Sequence, residues 1–203
     1  MDYILETISV GPMESNCYIF GCRRTREAVI IDPGSDYAEI KKRLERVEIS
    51  AKYILNTHGH ADHIGANGKF GLPILIHRHD ALFLRNPIKN LSAMFGLTVS
   101  SPKANKFLED GDKINIGKLV LEIFHTPGHT PGSISIKYDD LVFTGDTLFC
   151  EGVGRTDFPY SSEKDLFKSI REKLLVLPDS TKIYPGHGPA STIGHERKNN
   201  PFL

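Results

Sequence analysis

The sequence predicts an α/β fold of the αββα sandwich kind, with two packed mixed β-sheets and helices on their outer faces. Three observations carry that expectation. Apolar runs of strand length fall into two series, each accompanied by a segment of helical periodicity. Several of those runs end in polar, glycine-containing loops, the form strands take when they deliver side chains to one end of a sheet. The 203 residues show no composition break or low-complexity stretch, so a single domain, 1–203, can bury a substantial core without disulfides.

In chain order, residues 4–10 and 17–20 read as short strands about a turn at Gly11-Pro12. Residues 28–31 form a fully apolar strand closed by Asp32-Pro33-Gly34, a strong turn signal. Ile40, Leu44 and Val47 recur at helical spacing among charged residues, with Ser35 or Asp36 as N-cap. Residues 53–56 and 74–76 are the next strands. Short helical pieces are expected at 81–84 and 91–95, the second within an irregular excursion (85–105) that either overlies an active site or merely connects. Leu119, Leu121 and Ile123 alternate with Val120 and Glu122. Ile134, Ile136 and Tyr138 alternate with Ser133, Ser135 and Lys137, the pattern of a half-buried strand. Residues 141–143 and 182–184 are further strands. A helix is predicted over 163–177, with Leu166, Phe167, Ile170, Leu174 and Leu177 on one face.

Charge excludes some functions. Lys plus Arg and Asp plus Glu balance at 25 each, so no strong field draws nucleic acid or an acidic membrane. Cys17, Cys22 and Cys150 cannot all pair within one chain, and their spacing matches no zinc knuckle, which favours a reducing, cytoplasmic setting. The N-terminus lacks a secretory signal, and no run is long and apolar enough to span a membrane.

The densest chemistry lies at 56–65, where His58, His60, Asp62 and His63 place four potential ligands within six positions. Gly59 and Ala61 are small, so neighbouring ligands can converge without crowding. Imidazole and carboxylate together suit zinc and similar divalent metals. Three later strands end in further candidates: His129 in Thr126-Pro127-Gly128-His129-Thr130, Asp146 in Thr144-Gly145-Asp146-Thr147, and His187 in Tyr184-Pro185-Gly186-His187-Gly188.

This series, a His-x-His-x-Asp-His loop followed by His, Asp and His, resembles the metallo-β-lactamase superfamily over nearly the whole chain. The resemblance implies that superfamily's fold and two divalent metal ions, zinc first, with iron or manganese as alternatives. It implies one metal held by His58, His60 and His129, a second by Asp62, His63 and His187, and Asp146 bridging them. Two ions roughly 3.5–4 Å apart would share an ionised water. Asp62 would accept its proton while remaining a ligand. Within the superfamily the chain is similar to the glyoxalase II branch, on the stretch 145–149 followed by Gly152, Gly154, Arg155, Asp157 and Phe158. That implies hydrolysis of a small-molecule thioester, with metal-bridged hydroxide attacking the carbonyl. Asp146 as bridging ligand contrasts with the cysteine usual in true β-lactamases. No separate C-terminal helical domain follows His187, so the single-domain form looks closer and glutathione specificity is in question.

Arg155 matches a position where that branch sets a basic residue against the thiol's peptide portion; the alternative is an ion pair with Asp157. Arg197 and Lys198 either contact an anionic substrate or end a solvated helix. Cys150 has the context of a core position. His77, His79 and Asp80 imitate the ligand motif but read as structural, and His195 as solvated. Asp32 either supports a metal-bound histidine or caps its own turn. A rival resemblance, on 154–158, is to sulfur (persulfide) dioxygenases, which implies one iron held by His58, His129 and Asp146. A non-enzymatic binding module would not need seven intact ligands.

Overall fold

The computed structural model describes residues 2–203. Sheet 1 contains β1 (Tyr3–Val10), β2 (Ser15–Cys22), β3 (Glu27–Ile31), β4 (Ser50–Leu55), β5 (Ile74–His77) and β6 (Lys106–Leu108), hydrogen-bonded in that order. Sheet 2 contains β7 (Lys113–Ile116), β8 (Leu119–His125), β9 (Ile134–Tyr138), β10 (Leu141–Gly145), β13 (Lys182–Pro185) and β14 (Ser191–Thr192), in the order β14-β13-β10-β9-β8-β7. Between β10 and β13 the chain makes a small hairpin, β11 (Leu148–Phe149) and β12 (Gly152–Val153). Both large sheets are mixed. In sheet 1 the neighbours are antiparallel through β3 and parallel from β3 to β6, and in sheet 2 only the β10–β13 pair is parallel. The αββα expectation holds.

The layers follow from which side chains point where. Phe20, Val29, Ile31 and Leu55 of sheet 1 meet Ile114, Leu121, Ile123, Ile136 and Phe143 of sheet 2 in a central apolar layer. On the other face of sheet 1, Ile8, Cys17, Ile19 and Ile30 pack against Ile40 and Leu44 of α1 (Tyr37–Arg46). Two short helices follow β4: α2 (Ala61–Ile64) and α3 (Asn67–Phe70). The outer face of sheet 2 places Val142 and Ile183 against Leu166, Ile170, Leu174 and Ile193 of α4 (Glu163–Ser169), the π-helical turn Ile170–Leu174 and α5 (Ile193–Asn199). Burying an aliphatic side chain is worth roughly 1.5–3 kcal/mol, and three such layers fix the ends of the strands that carry the polar loops.

Several local expectations need correction. The helix predicted over 163–177 is α-helical only to Ser169; Leu175 N–H then donates to Ile170 C=O, 2.8 Å, a five-residue spacing. The apolar face survives because Leu166, Ile170 and Leu174 all stay buried. β9 is not half-buried at its start: Ser133 and Ser135 are inside as well, and Ser135 Oγ bonds Thr126 Oγ1. The pieces at 81–84 and 91–95 are 3-10 turns, Phe83–Arg85 and Ser92–Phe95. Strands β6 and β7 were not foreseen. Asp36 occupies the N-cap position of α1, but its carboxylate accepts from Gly11 N–H rather than from the helix.

Candidate metal centre

The four polar loops open at one end of the sandwich. Leu55 ends β4, and the chain runs through His58 to His60 before turning into α2, so Asp62 and His63 project from a helical turn rather than from a loop. His129 follows β8, Asp146 follows Gly145 at the end of β10, and His187 follows Pro185 at the end of β13. All seven side chains meet. Donor atoms of His58, His60 and His129 lie within 4.8 Å of one another, as do those of Asp62, His63 and His187. Asp146 stands between the groups: its Oδ2 is 3.5 Å from His129 Nε2 and 3.6 Å from His187 Nε2, and its Oδ1 is 3.5 Å from His63 Nε2.

The ring nitrogens turned away from the centre fix which ones face it. His63 Nδ1 donates to Asp32 Oδ2 at 3.1 Å, His129 Nδ1 to the Arg155 carbonyl at 2.8 Å, and His187 Nδ1 to the Met13 carbonyl at 3.1 Å. His58 Nδ1 donates to Thr57 Oγ1 at 3.2 Å, whose hydroxyl donates onward to Asp32. Each of these four rings therefore turns its Nε2 toward the centre. His60 is reversed and presents Nδ1, 2.9 Å from His129 Nε2. Asp32 accepts from Thr57 N–H, Thr57 OH and His63, so of its two readings the structure shows the supporting one.

This donor set fits divalent metal. Bonds of about 2.0–2.1 Å to a tetrahedral ion put its donors about 3.4 Å apart, and the contacts between His63 and His187 (3.3 Å) and between His187 and Asp62 (3.2 Å) match that spacing. Two buried polar atoms at the centre, His58 Nε2 and Asp146 Oδ1, have no hydrogen-bond partner, a costly state unless a cation meets them. Gly186 leaves the space: a Cβ there would strike Asp146 Oδ1. Burial, reinforced by the neighbouring imidazoles, pushes His58 and His60 well below the usual imidazole range, which keeps them neutral and able to ligate. Burial would also raise Asp62, but His63 and His187 outweigh it and hold the carboxylate ionised.

Asp80 is structural, as its place in the imitation motif suggests, but its support of the metal-centre loops is not apparent from the sequence. It is buried beneath the site and accepts from Gly59 N–H (2.8 Å), Gly132 N–H (2.7 Å) and Thr130 OH (2.7 Å). One carboxylate thus ties the His58–His60 loop to the His129 loop. Gly59 is small for a different reason than ligand crowding: Phe83 packs where its side chain would be. No local pattern points to the partners of Asp80, because they are mainly backbone N–H groups of distant glycines.

The remaining candidates divide. Arg155 forms the ion pair with Asp157 that its alternative reading expects, through two bonds of 2.9 and 2.7 Å, and its side chain is among those lining the cleft above the histidines. Arg197 binds Asp179 and the Leu175 and Leu177 carbonyls, so it fastens α5 to the preceding helix and does not face the cleft. Cys150 is half-buried rather than a core residue, because it sits in the exposed turn between β11 and β12. His195 is solvated as expected, 40% exposed at its side chain, and pairs with Glu151 at 2.9 Å.

Residues 10–187 match the metallo-β-lactamase superfamily model, and the chain belongs to that superfamily. It is 39% identical to hydroxyacylglutathione hydrolase GloC of Haemophilus influenzae, over 98% of this chain and 97% of that protein. The BLEG-1 B3 metallo-β-lactamase structure superposes with a TM-score of 0.94 at 37% identity, covering 98% of this chain and 99% of that one. The structure of TTHA1623 in a di-iron-bound form gives 0.86 at 32% identity, covering 98% and 100%. The superfamily assignment makes the protein a metal-dependent enzyme of hydrolase type.

Proposed function

We propose that the protein is a thioester hydrolase with a dinuclear metal centre. The observation that supports this reading best is the pair of three-donor groups with Asp146 between them. His58, His60 and His129 would hold one ion, Asp62, His63 and His187 the other, and Asp146 both. Bound there, divalent metal supplies Lewis acidity and lowers the pKa of a water from about 15.7 toward neutrality. The chain's own residues do the rest. Asp62, kept ionised by its histidine neighbours and 17% exposed at its side chain, faces the cleft and accepts the proton of the attacking water. Asp32 and the Arg155 and Met13 carbonyls hold three of the rings in place throughout. The leaving thiolate needs no general acid, since a thiol has a pKa of about 8.5. The likeness to a protein named hydroxyacylglutathione hydrolase supports the thioester; the likeness to one named a β-lactamase makes a lactam the substrate to exclude. Zinc is the metal proposed first, and the di-iron neighbour makes iron its alternative.

The test is metal content of protein purified without added metal, paired with three substrates. Two equivalents of zinc, iron or manganese with hydrolysis of acyl thioesters is the expected result. One iron with oxygen uptake on a persulfide, or hydrolysis of a β-lactam in preference to every thioester, would overturn the proposal.

A further inference from the structure

The cleft over the candidate metal centre encloses about 630 Å³, and one of its walls is almost wholly apolar. Leu91, Phe95, Leu97 and Val99, all from the excursion after Pro87, line it together with Met13 and Phe158. Phe95 and Leu97 are 62% and 57% exposed, an unusual state for large apolar side chains in a segment that is firmly built. Its frame is Asn90, which is fully buried. Asn90 Nδ2 donates to the Phe83 and Val99 carbonyls, and its Oδ1 accepts from Ser92 N–H and Ser92 OH. Ser92 Oγ in turn accepts from Val99 N–H. The Asn90 carbonyl accepts from Ala61 N–H at 3.0 Å, so the wall is tied to the turn that carries His60 and Asp62. Among the described residues, Arg155 is the one Lys or Arg lining the cleft, and Asp157 already neutralises it with two bonds.

We propose that this wall is a subsite for the apolar acyl group of the substrate, so that the enzyme takes thioesters of medium-length unbranched or aromatic acids. The inference rests on the thioester reading above. The side chains that would touch such a group are hydrophobic and stand on a backbone held beforehand by the Asn90 and Ser92 hydrogen bonds, and each methylene that leaves water for the wall adds binding of about 0.8 kcal/mol, roughly a fourfold gain in affinity or kcat/KM. A highly charged acyl group would meet no unpaired cation there.

Two measurements test it. The first is kcat/KM for acetyl, butanoyl, hexanoyl and octanoyl esters of one thiol, with the metal-loaded protein. A rise of about fourfold per methylene until the wall is covered is expected, and Phe95→Ala with Leu97→Ser should flatten it. Leu82→Ala, on an exposed side chain away from the cleft, should keep the full slope. The second is calorimetric binding of acetate, hexanoate and octanoate, which needs no turnover. Affinity that climbs with chain length, with a negative heat-capacity change, is expected. A flat or falling dependence on acyl length, or a dependence on the thiol's apolarity instead, overturns the subsite. If carboxylate affinity climbs while no thioester is hydrolysed, the subsite stands and the thioesterase reading fails.

Discussion

The protein contains two clusters of histidines, and only one has the form of a metal centre. The first joins His58, His60, His63, His129 and His187. The second joins His77, His79 and His125, whose ring nitrogens also fall within 4.8 Å of one another. Proximity is therefore common to both. What differs is where the lone pairs point and what stands between the rings. In the first cluster, His58, His63, His129 and His187 give one N–H to an outer oxygen, two carboxylates lie inside, and the rings are steeply inclined, 81° between His58 and His129. In the second, His77 and His125 stack at 3.9 Å with only 9° between their planes, so their in-plane lone pairs run parallel instead of converging. His125 Nε2 donates to the Pro131 carbonyl, His77 Nδ1 accepts from His79 N–H, and the nearest carboxylate, Glu109, lies at the edge, 3.6 Å from His77. Ligand type does not make a site; oriented lone pairs around an inner carboxylate do.

The sharpest way to break that contrast is to remove one group from each cluster and count metal. Asp146→Ala takes away the carboxylate that touches both donor groups. Metal retained through dialysis should fall from about two equivalents to one or none, and turnover should drop beyond the roughly 10–100-fold typical of losing an outer partner. His125→Gln should leave both quantities near wild type. Equal metal loss in the two variants would erase the distinction drawn between the clusters.

Asp80 tests the same contrast from beneath, since it belongs to the chain segment of the second cluster but serves the first. Asp80→Ala strands Gly59 N–H and Gly132 N–H, and leaves Thr130 OH only Ser133 Oγ as a partner. Each unsatisfied buried donor costs about 1–3 kcal/mol, so a loss on the order of 3–5 kcal/mol is expected. At about 2–4 °C per kcal/mol for a chain of this size, Tm should fall by roughly 10 °C. Metal affinity should fall as well, because the His58–His60 loop and the His129 loop lose their common anchor. A variant with unchanged Tm and tighter metal binding would show that the loops hold their places without it.

Much of the site was legible in the sequence, and for a physical reason. Donors of one centre come from strand ends, and strand ends announce themselves as apolar runs stopped by Gly, Pro or Asp, as at Phe143-Thr144-Gly145-Asp146. What supports the donors was less legible. Asp32 was visible because it closes a strand, but Asp80 bonds backbone groups 21 and 52 residues away and leaves no local pattern. The strands followed the same rule. β8 reads directly from its alternation, whereas β6 has three residues, two of them exposed, and is a strand only because β5 offers a parallel edge. The π-helical turn after Ser169 was hidden because widening one turn left Leu166, Ile170 and Leu174 on the same face. Irregular segments such as 85–105 are fixed by buried side-chain hydrogen bonds, here those of Asn90, and no periodicity encodes them.

The smallest effect comes from the second cluster's own chemistry. Burial, helped by His125 of β8 and by His79 and Arg78 of the adjoining turn, lowers His77 from 6.5 to about 4, and only Glu109 opposes. The folded protein thus favours the neutral ring. Above pH 6.5 both states are neutral at this position and the contribution is complete. As pH falls from 6.5 to about 4 the unfolded chain takes up a proton that the folded ring refuses, so stability is lost across that window and levels off below it. At about 1.36 kcal/mol per pH unit, the loss is at most about 3 kcal/mol. Urea unfolding of wild type and His77→Gln at pH 7 and pH 4.5 isolates it, because ionisations at the metal centre are common to both proteins and cancel in the difference. Wild type should lose more stability than the variant between the two pH values. Equal losses would mean that the stacked pair opens to solvent, and that this cluster is held together far more loosely than the one around Asp146.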